Sequence, residues 1–132
     1  MSVATKSAIT LIAAGTAAVQ GTPQRATVDV RTALGGRITI RMTNGATGPN
    51  AQCVCTIMQA HTDGSTPASA AAGAVWKPTG YSVGNGLLAN TDAFLPVYEF
   101  GPGIQHLQVE FAGNTAQNVT VEAFLTLVTA FV

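Results

Sequence analysis

Charge is what this sequence has least of. Only 9% of its 132 residues are Asp, Glu, Lys or Arg, against roughly 25% in an ordinary soluble domain, and the six cations cancel the six anions. A neutral chain has no general attraction for a phosphate backbone, because nucleic-acid binders draw affinity from the counterions that clustered cations release. Here Lys6, Arg25, Arg31, Arg37, Arg41 and Lys77 stand apart from one another. No basic patch or charged tail results, and no direct contact with nucleic acid is expected. Exposed like charge also keeps monomers apart. A surface built from Thr, Asn, Gln, Ser and Gly does little to resist association.

Long apolar runs are missing as well. The Ala-rich stretch from Met1 to Val19 is interrupted by Thr5, Lys6, Ser7 and Thr10, whereas a secretory leader needs an unbroken apolar segment behind a basic head. The run from Phe124 to Val132 is broken by Thr126 and Thr129, short of the ~18 consecutive apolar residues of a membrane helix. Secretion by a leader and a membrane span are therefore not expected. Cysteine is limited to Cys53 and Cys55, two apart and so on one face of a strand. A soft-metal site needs further ligands, and His61 and His106 have no ligand-like spacing to them. Both thiols are read as core, and no metal or cofactor is expected.

What the sequence does have is a period of two, which sends alternate side chains to opposite faces of a strand. Ile38, Ile40 and Met42 share one face, with Arg37, Thr39 and Arg41 on the other. Leu107, Val109 and Phe111 alternate in the same way with His106, Gln108 and Glu110. Val119, Val121, Ala123, Leu125 and Leu127 continue the pattern. Turn residues punctuate these runs at Asn44 to Pro49, Asp63-Gly64-Ser65, Asn85-Gly86, Gly101-Pro102-Gly103 and Gly113-Asn114-Thr115.

The expected fold is all-β, an antiparallel sandwich of jelly-roll type with about eight strands and at most one short helix. Strands are predicted near Ala8–Ala13, Arg25–Arg31, Arg37–Thr43, Gln52–Ala60, Ala74–Lys77, Tyr81–Leu88, Leu95–Phe100, Ile104–Ala112 and Asn118–Val128. The segments starting at Arg37 and His106 share one plan of strand, Gly/Asn/Thr-rich turn and strand. They are read as two comparable hairpins. Residues 1–24 are either an arm or a first strand, and residues 25–132 form the sandwich. The Ala-rich segment from Pro67 to Val75 is read as a loop or short helix.

Catalytic constellations do not emerge. His61-Thr62-Asp63-Gly64-Ser65 holds triad residue types, but turn chemistry explains Asp-Gly-Ser, and a working triad is assembled from separate elements. Glu110 and Glu122 are predicted outward on neighbouring strands, where carboxylates opposite Arg37 or Arg41 form ion pairs more often than glycosidase sites. No phosphate loop, dinucleotide fingerprint or metalloprotease motif is present. The chain is not expected to be an enzyme. Among the sparse aromatics, alternation turns Phe124 away from the core among Thr120, Glu122 and Thr126. Trp76 and Tyr81, flanking Pro78 and Gly80, are candidates for a ligand platform, and Phe131 completes the candidate interface residues.

Several segments together resemble the small virion proteins of tailed bacteriophages. They are Lys6-Ser7-Ala8-Ile9-Thr10, Ala13-Ala14-Gly15-Thr16, Val28-Asp29-Val30-Arg31, Gly35-Gly36, Thr43 to Pro49, Asp63 to Thr66 and Phe111 to Ala116. Within that group the chain is similar to head decoration or cement proteins with a β-sandwich body. The resemblance implies a homo-oligomer, dimer or trimer, made in the host bacterial cytoplasm and bound on the capsid surface to the major capsid protein. Tail, baseplate and fibre proteins use similar sandwiches, so a carbohydrate- or protein-binding role there is the alternative implied.

Overall fold

The computed structural model describes residues 3–61 and 75–131, with Phe131 described through its backbone alone. Nine strands occur among the described residues: β1 (Ala4–Ala18), β2 (Gln24–Asp29), β3 (Gly35–Asn44), β4 (Val54–Ala60), β5 (Lys77–Gly84), β6 (Asp92–Phe94), β7 (Tyr98–Phe100), β8 (His106–Ala112) and β9 (Val119–Phe131). One sheet runs β1-β9-β3-β6, with β7 also paired to β3, and the other runs β2-β8-β4-β5. All pairings are antiparallel. The two sheets form a β-sandwich, as the alternation requires.

The core lies between the sheets. Ile38, Ile40 and Met42 from β3 and Val119, Val121, Ala123 and Leu125 from β9 face Cys55 and Ile57 from β4 and Leu107, Val109 and Phe111 from β8, and all are buried. Every residue assigned to the core from alternation, Cys53 included, is therefore inside. Burial pushes the Cys53 thiol up to about 11, and Cys55 is shifted further in the same direction by burial and by its neighbours Cys53 and Glu110.

The two comparable segments are not hairpins. β3 and β4 belong to different sheets, as do β8 and β9, so each segment is an arch that carries the chain across the core. The reason is visible in the pairing. β3 pairs with β9 and β4 with β8, so the arches stack on each other instead of folding back on themselves. Their bends join through an Ala51–Thr115 bridge, and the Asn50 amide donates to the Thr115 carbonyl at 3.0 Å.

A buried Asn stands at each bend. Asn44 Nδ2 donates to the carbonyls of Gly86 (3.3 Å) and Leu88 (2.9 Å), and Asn114 Nδ2 to those of Ala18 and Gln117, both at 2.9 Å. These bonds satisfy carbonyls that the bends would otherwise bury unpaired. Gly113 takes a φ of 98°, a region that favours glycine. A Cβ on Gly48 would overlap the Leu87 carbonyl, so only glycine lets the first bend close against the segment after β5.

Several expected boundaries shift. Residues 4–18 form one strand, which pairs along β9 and places Ile12 and Ala18 in the core. The strand predicted as Leu95–Phe100 is reduced to β7, with β6 lying before it, because Leu95 turns inward, its amide donating to the Ile40 carbonyl at 2.9 Å, and Pro96 follows. β5 covers Lys77–Gly84, where strands at Ala74–Lys77 and Tyr81–Leu88 were predicted. The Asp63-Gly64-Ser65 turn and most of the Pro67 to Val75 segment lie outside the described residues.

Alternation on β8 holds, but exposure does not follow it. His106, Gln108 and Glu110 point away from the core, yet they are 8%, 0% and 7% exposed. Glu110 is covered by Arg25 of β2, whose Nε lies 2.6 Å from the carboxylate. On the same face Trp76 packs with Met58 and Ala60 in a second apolar cluster. The outer face of the β2-β8-β4-β5 sheet is therefore a second, smaller core.

Two outcomes follow. Deleting residues 1–24 removes Ile12 from the core and uncovers one side of β9. Loss of one large aliphatic costs about 2–5 kcal/mol, so thermal unfolding should show a fall in Tm of roughly ten degrees or more; an unchanged Tm would place β1 outside the cooperative fold. Both cysteines should react with a thiol reagent at neutral pH at least about a hundredfold more slowly than in denaturant, because burial withholds the thiolate as well as access. Fast modification of either native thiol would contradict this packing.

Candidate functional site

The two outer faces of the sandwich differ. One is closed by Trp76 and the Arg25–Glu110 pair, while no described element covers the outer face of the β1-β9-β3 sheet. Antiparallel register lays its side chains out in rows. Thr10, Phe124 and Thr39 form one row, Glu122, Arg41 and Phe94 the next, and Thr126, Arg37 and Glu99 another.

Phe94, on the short edge strand β6, is 75% exposed. The Arg41 guanidinium lies over its ring at 5.0 Å from the centroid. The same guanidinium makes a two-point bridge to Asp92, Nε to Oδ1 at 2.8 Å and Nη2 to Oδ2 at 2.6 Å, and reaches Glu122 at 3.8 Å. Thr43 Oγ1 donates to Asp92 Oδ1 at 2.9 Å. These hydrogen bonds, from Arg41 first and Thr43 second, hold the Asp92 carboxyl down at about 2. Arg37 is paired with Glu99. At this end a shallow groove of about 470 Å³ is lined by Lys6, Arg37, Glu99, Phe100, Thr126 and Val128. The cations of β3 are thus neutralised within the face, which presents aromatic and threonine surface in place of a field.

The residues singled out from the sequence do not converge. Phe124 is half-buried on the open face, at the position its alternation requires. Trp76 is 1% exposed and offers no ring to a ligand. Tyr81 packs on the main core; its hydroxyl donates to the Pro96 carbonyl at 2.5 Å, its ring meets Tyr98 edge-on at 6.0 Å, and burial pushes its phenol up to about 12. Trp76 and Tyr81 therefore make no platform. The Phe131 side chain lies outside the described residues.

Glu110 and Glu122 are not neighbours either, since β8 and β9 lie in different sheets and the two carboxylates occupy opposite outer faces. Glu122 does stand opposite Arg41, but the partner of Glu110 is Arg25. No three His, Cys, Asp or Glu side chains gather among the described residues as a metal site would need.

Sequence reasoning counted Phe94 among the aromatics without singling it out, and missed the exposed side chains of Leu87, Leu88 and Val97, which are 52%, 77% and 45% exposed. One signal was available. Pro96 ends a run two residues after Phe94, marking an edge strand whose side chains have a neighbour on one side only.

No family model matches the chain, and no curated protein matches it. Solved structures similar to it include the following two. The SPBc2 prophage-derived protein YomS superposes with a TM-score of 0.46 at 14% identity over 94% of this chain and 95% of YomS. A chain in the structure of infectious bursal disease virus Gx strain gives a TM-score of 0.52 at 16% identity, with 96% of this chain covered. The present chain spans 32% of that viral chain. At 16% identity the likeness to the viral chain is one of fold alone.

The Arg41–Asp92 clamp carries a pH signature. The folded pKa of Asp92, about 2, lies below its ordinary 3.8, so the clamp is fully formed above pH 4 and is lost as pH falls through 2. An NMR titration following the Asp92 carboxyl carbon should give a midpoint near 2 in the native protein. Substitution Arg41→Gln should return it toward 3.8; a midpoint near 4 in the unmodified protein would remove the clamp from the face.

Proposed function

We propose that this chain is a structural virion protein, a decoration or cement protein that lies on the major capsid lattice and ties adjacent capsid subunits together. The observation that carries the reading is the contrast between the two outer faces. One is closed by the protein's own side chains, and the other leaves Phe94 and Phe124 among threonines and internally neutralised ion pairs. Such a face suits permanent contact with a protein surface. Interfaces draw their energy from a few desolvated aromatic and Arg anchors ringed by near-neutral contacts, and Phe94 under Arg41 is of that kind.

Low charge agrees with close packing in a symmetric array, because neighbouring copies do not repel. A clamp bound only to the closed shell stabilises it by mass action. The viral origin of the infectious bursal disease virus chain accords with this reading at the level of fold, and fold alone does not assign function. Of the alternative, a tail, baseplate or fibre protein binding carbohydrate or protein, the carbohydrate-binding form loses its main support with the burial of Trp76.

Imaging of particles made with and without this protein tests the proposal by location and copy number. Regular density over capsid subunit junctions is expected; density confined to the tail would overturn it in favour of the alternative. The variant Phe94→Ala should leave Tm within a degree or two, as the ring is mostly exposed. It should weaken retention on purified heads by about 30-fold, the equivalent of a 2 kcal/mol anchor. Undiminished retention would take Phe94 out of the docking face.

A further inference from the structure

The edges of the two sheets are not equally protected. An edge strand presents unpaired N–H and C=O groups that invite another strand, and proteins guard such edges with short strands, proline, bulges or charge. Beyond β3 the edge consists of two three-residue strands separated by Leu95, Pro96 and Val97. β5 carries Pro78, Gly80 at a φ of 94° and a register shift. β2 is six residues long, bears Arg25 and Asp29, and is tied at its start to β1 by Gln24 Nε2, which donates to the Ala17 carbonyl at 3.0 Å.

β1 differs from all three. It is the longest strand at 15 residues, contains no proline, and carries one charge, Lys6. Among the described residues no strand lies on its other side. Its irregularities fall between Thr5 and Lys6 and beyond Thr10, which leaves Lys6–Thr10 in unbroken register.

We infer that β1 pairs antiparallel with β1 of a second copy of this chain across a two-fold axis, joining two open sheets into one continuous sheet. The occupant follows from what the edge offers. Its outward main-chain groups are otherwise left to water, another strand pairs them in full, and a two-fold pairing is self-complementary, so it needs no second sequence. Centred on the regular stretch, the pairing sets Ala8 against Ala8, Ser7 against Ile9 and Lys6 against Thr10. The two Lys6 positions then stand four residues apart, about 13 Å at ~3.3 Å per residue, beyond the Debye length of about 8 Å at physiological salt. Ile9, half-buried against the core, gains cover on its open side. The inference concerns the free protein and does not depend on the virion reading; it names the surface through which the expected homo-oligomer forms.

Sedimentation of the full chain at about 50 μM should give a species of twice the monomer mass. Ala8 is exposed on the open face, so Ala8→Lys and Ala8→Glu should each keep the native Tm. Like charges directly opposite one another should weaken self-association at least about tenfold in each, and an equimolar mixture of the two variants should restore the dimer. As a second measure, Ala8→Cys treated with a short bismaleimide should cross-link in high yield, whereas Leu34→Cys, exposed on the far side of β9 from the β1 edge, should not. A wild-type chain that is monomeric at this concentration would overturn the inference. So would a dimer indifferent to both charge variants, or one in which the Ala8 and Leu34 positions cross-link equally.

Discussion

The stacking of two arches is the constraint on which the rest of the molecule depends. Each arch takes the chain from one sheet to the other, and because β3 pairs with β9 and β4 with β8, the two arches supply paired inner strands to both sheets at once. The core is the contents of that double arch. A crossing of this kind buries the main chain at the bends, where no ladder is available to pair it. Asn44 and Asn114 meet that requirement with side-chain amides, and Asn85 joins them, its Nδ2 lying 3.2 Å from Asn44 Oδ1 and 3.3 Å from the Met42 carbonyl. The bends are thus fixed by polar bonds as specific as the apolar packing between them.

Once the arches are in place, the other strands have little choice of position. β1 adds beside β9, β2 beside β8 and β5 beside β4, while β6 and β7 share the far side of β3. Most neighbours within a sheet are distant in sequence, so the pairing entropy is overcome only when the arches meet. The same arrangement separates the two outer faces. On one, Trp76, at the entrance to β5, reaches Met58 and Ala60 of β4 and begins a second layer. On the other, no described element follows the sheet, and the ion pairs of β3 lie flat against it.

Much of this fold was legible in the sequence because alternation is a direct record of which side of a strand meets the core. Ile38, Val109 and Leu125 could be placed without knowing their partners, and Phe124 could be turned outward by the same rule. Pairing was not legible. The segments beginning at Arg37 and His106 do share a plan, as their turn residues suggested, but Gly/Asn-rich bends serve arches as well as hairpins, and a local pattern does not say which sheet receives the second strand. Exposure failed for a related reason. Gln108 alternates outward yet is fully buried, because whether a second layer covers a face is decided by residues far away in the chain. Trp76 was misjudged as a platform on the same ground, since a lone aromatic beside Pro and Gly looks accessible until its packing partners are known.

The open face joins the low charge of the sequence to its architecture. With few charges available, β3 places Arg37 and Arg41 opposite carboxylates from neighbouring strands, and the face is left with almost no net field. Surface ion pairs of this sort add little to stability, and their effect here is better sought in what they remove. An unpaired guanidinium on a flat face would repel a second copy and would have to be desolvated by any partner. Bound to Asp92 and resting on Phe94, the Arg41 head group instead becomes part of a planar, weakly hydrated surface. The face can then meet another protein through shape and apolar contact, while the β1 edge beside it offers main-chain hydrogen bonds. In the proposed associations two different chemistries thus lie side by side on one sheet, and the opposite side of the sandwich, closed over its own side chains, takes part in neither.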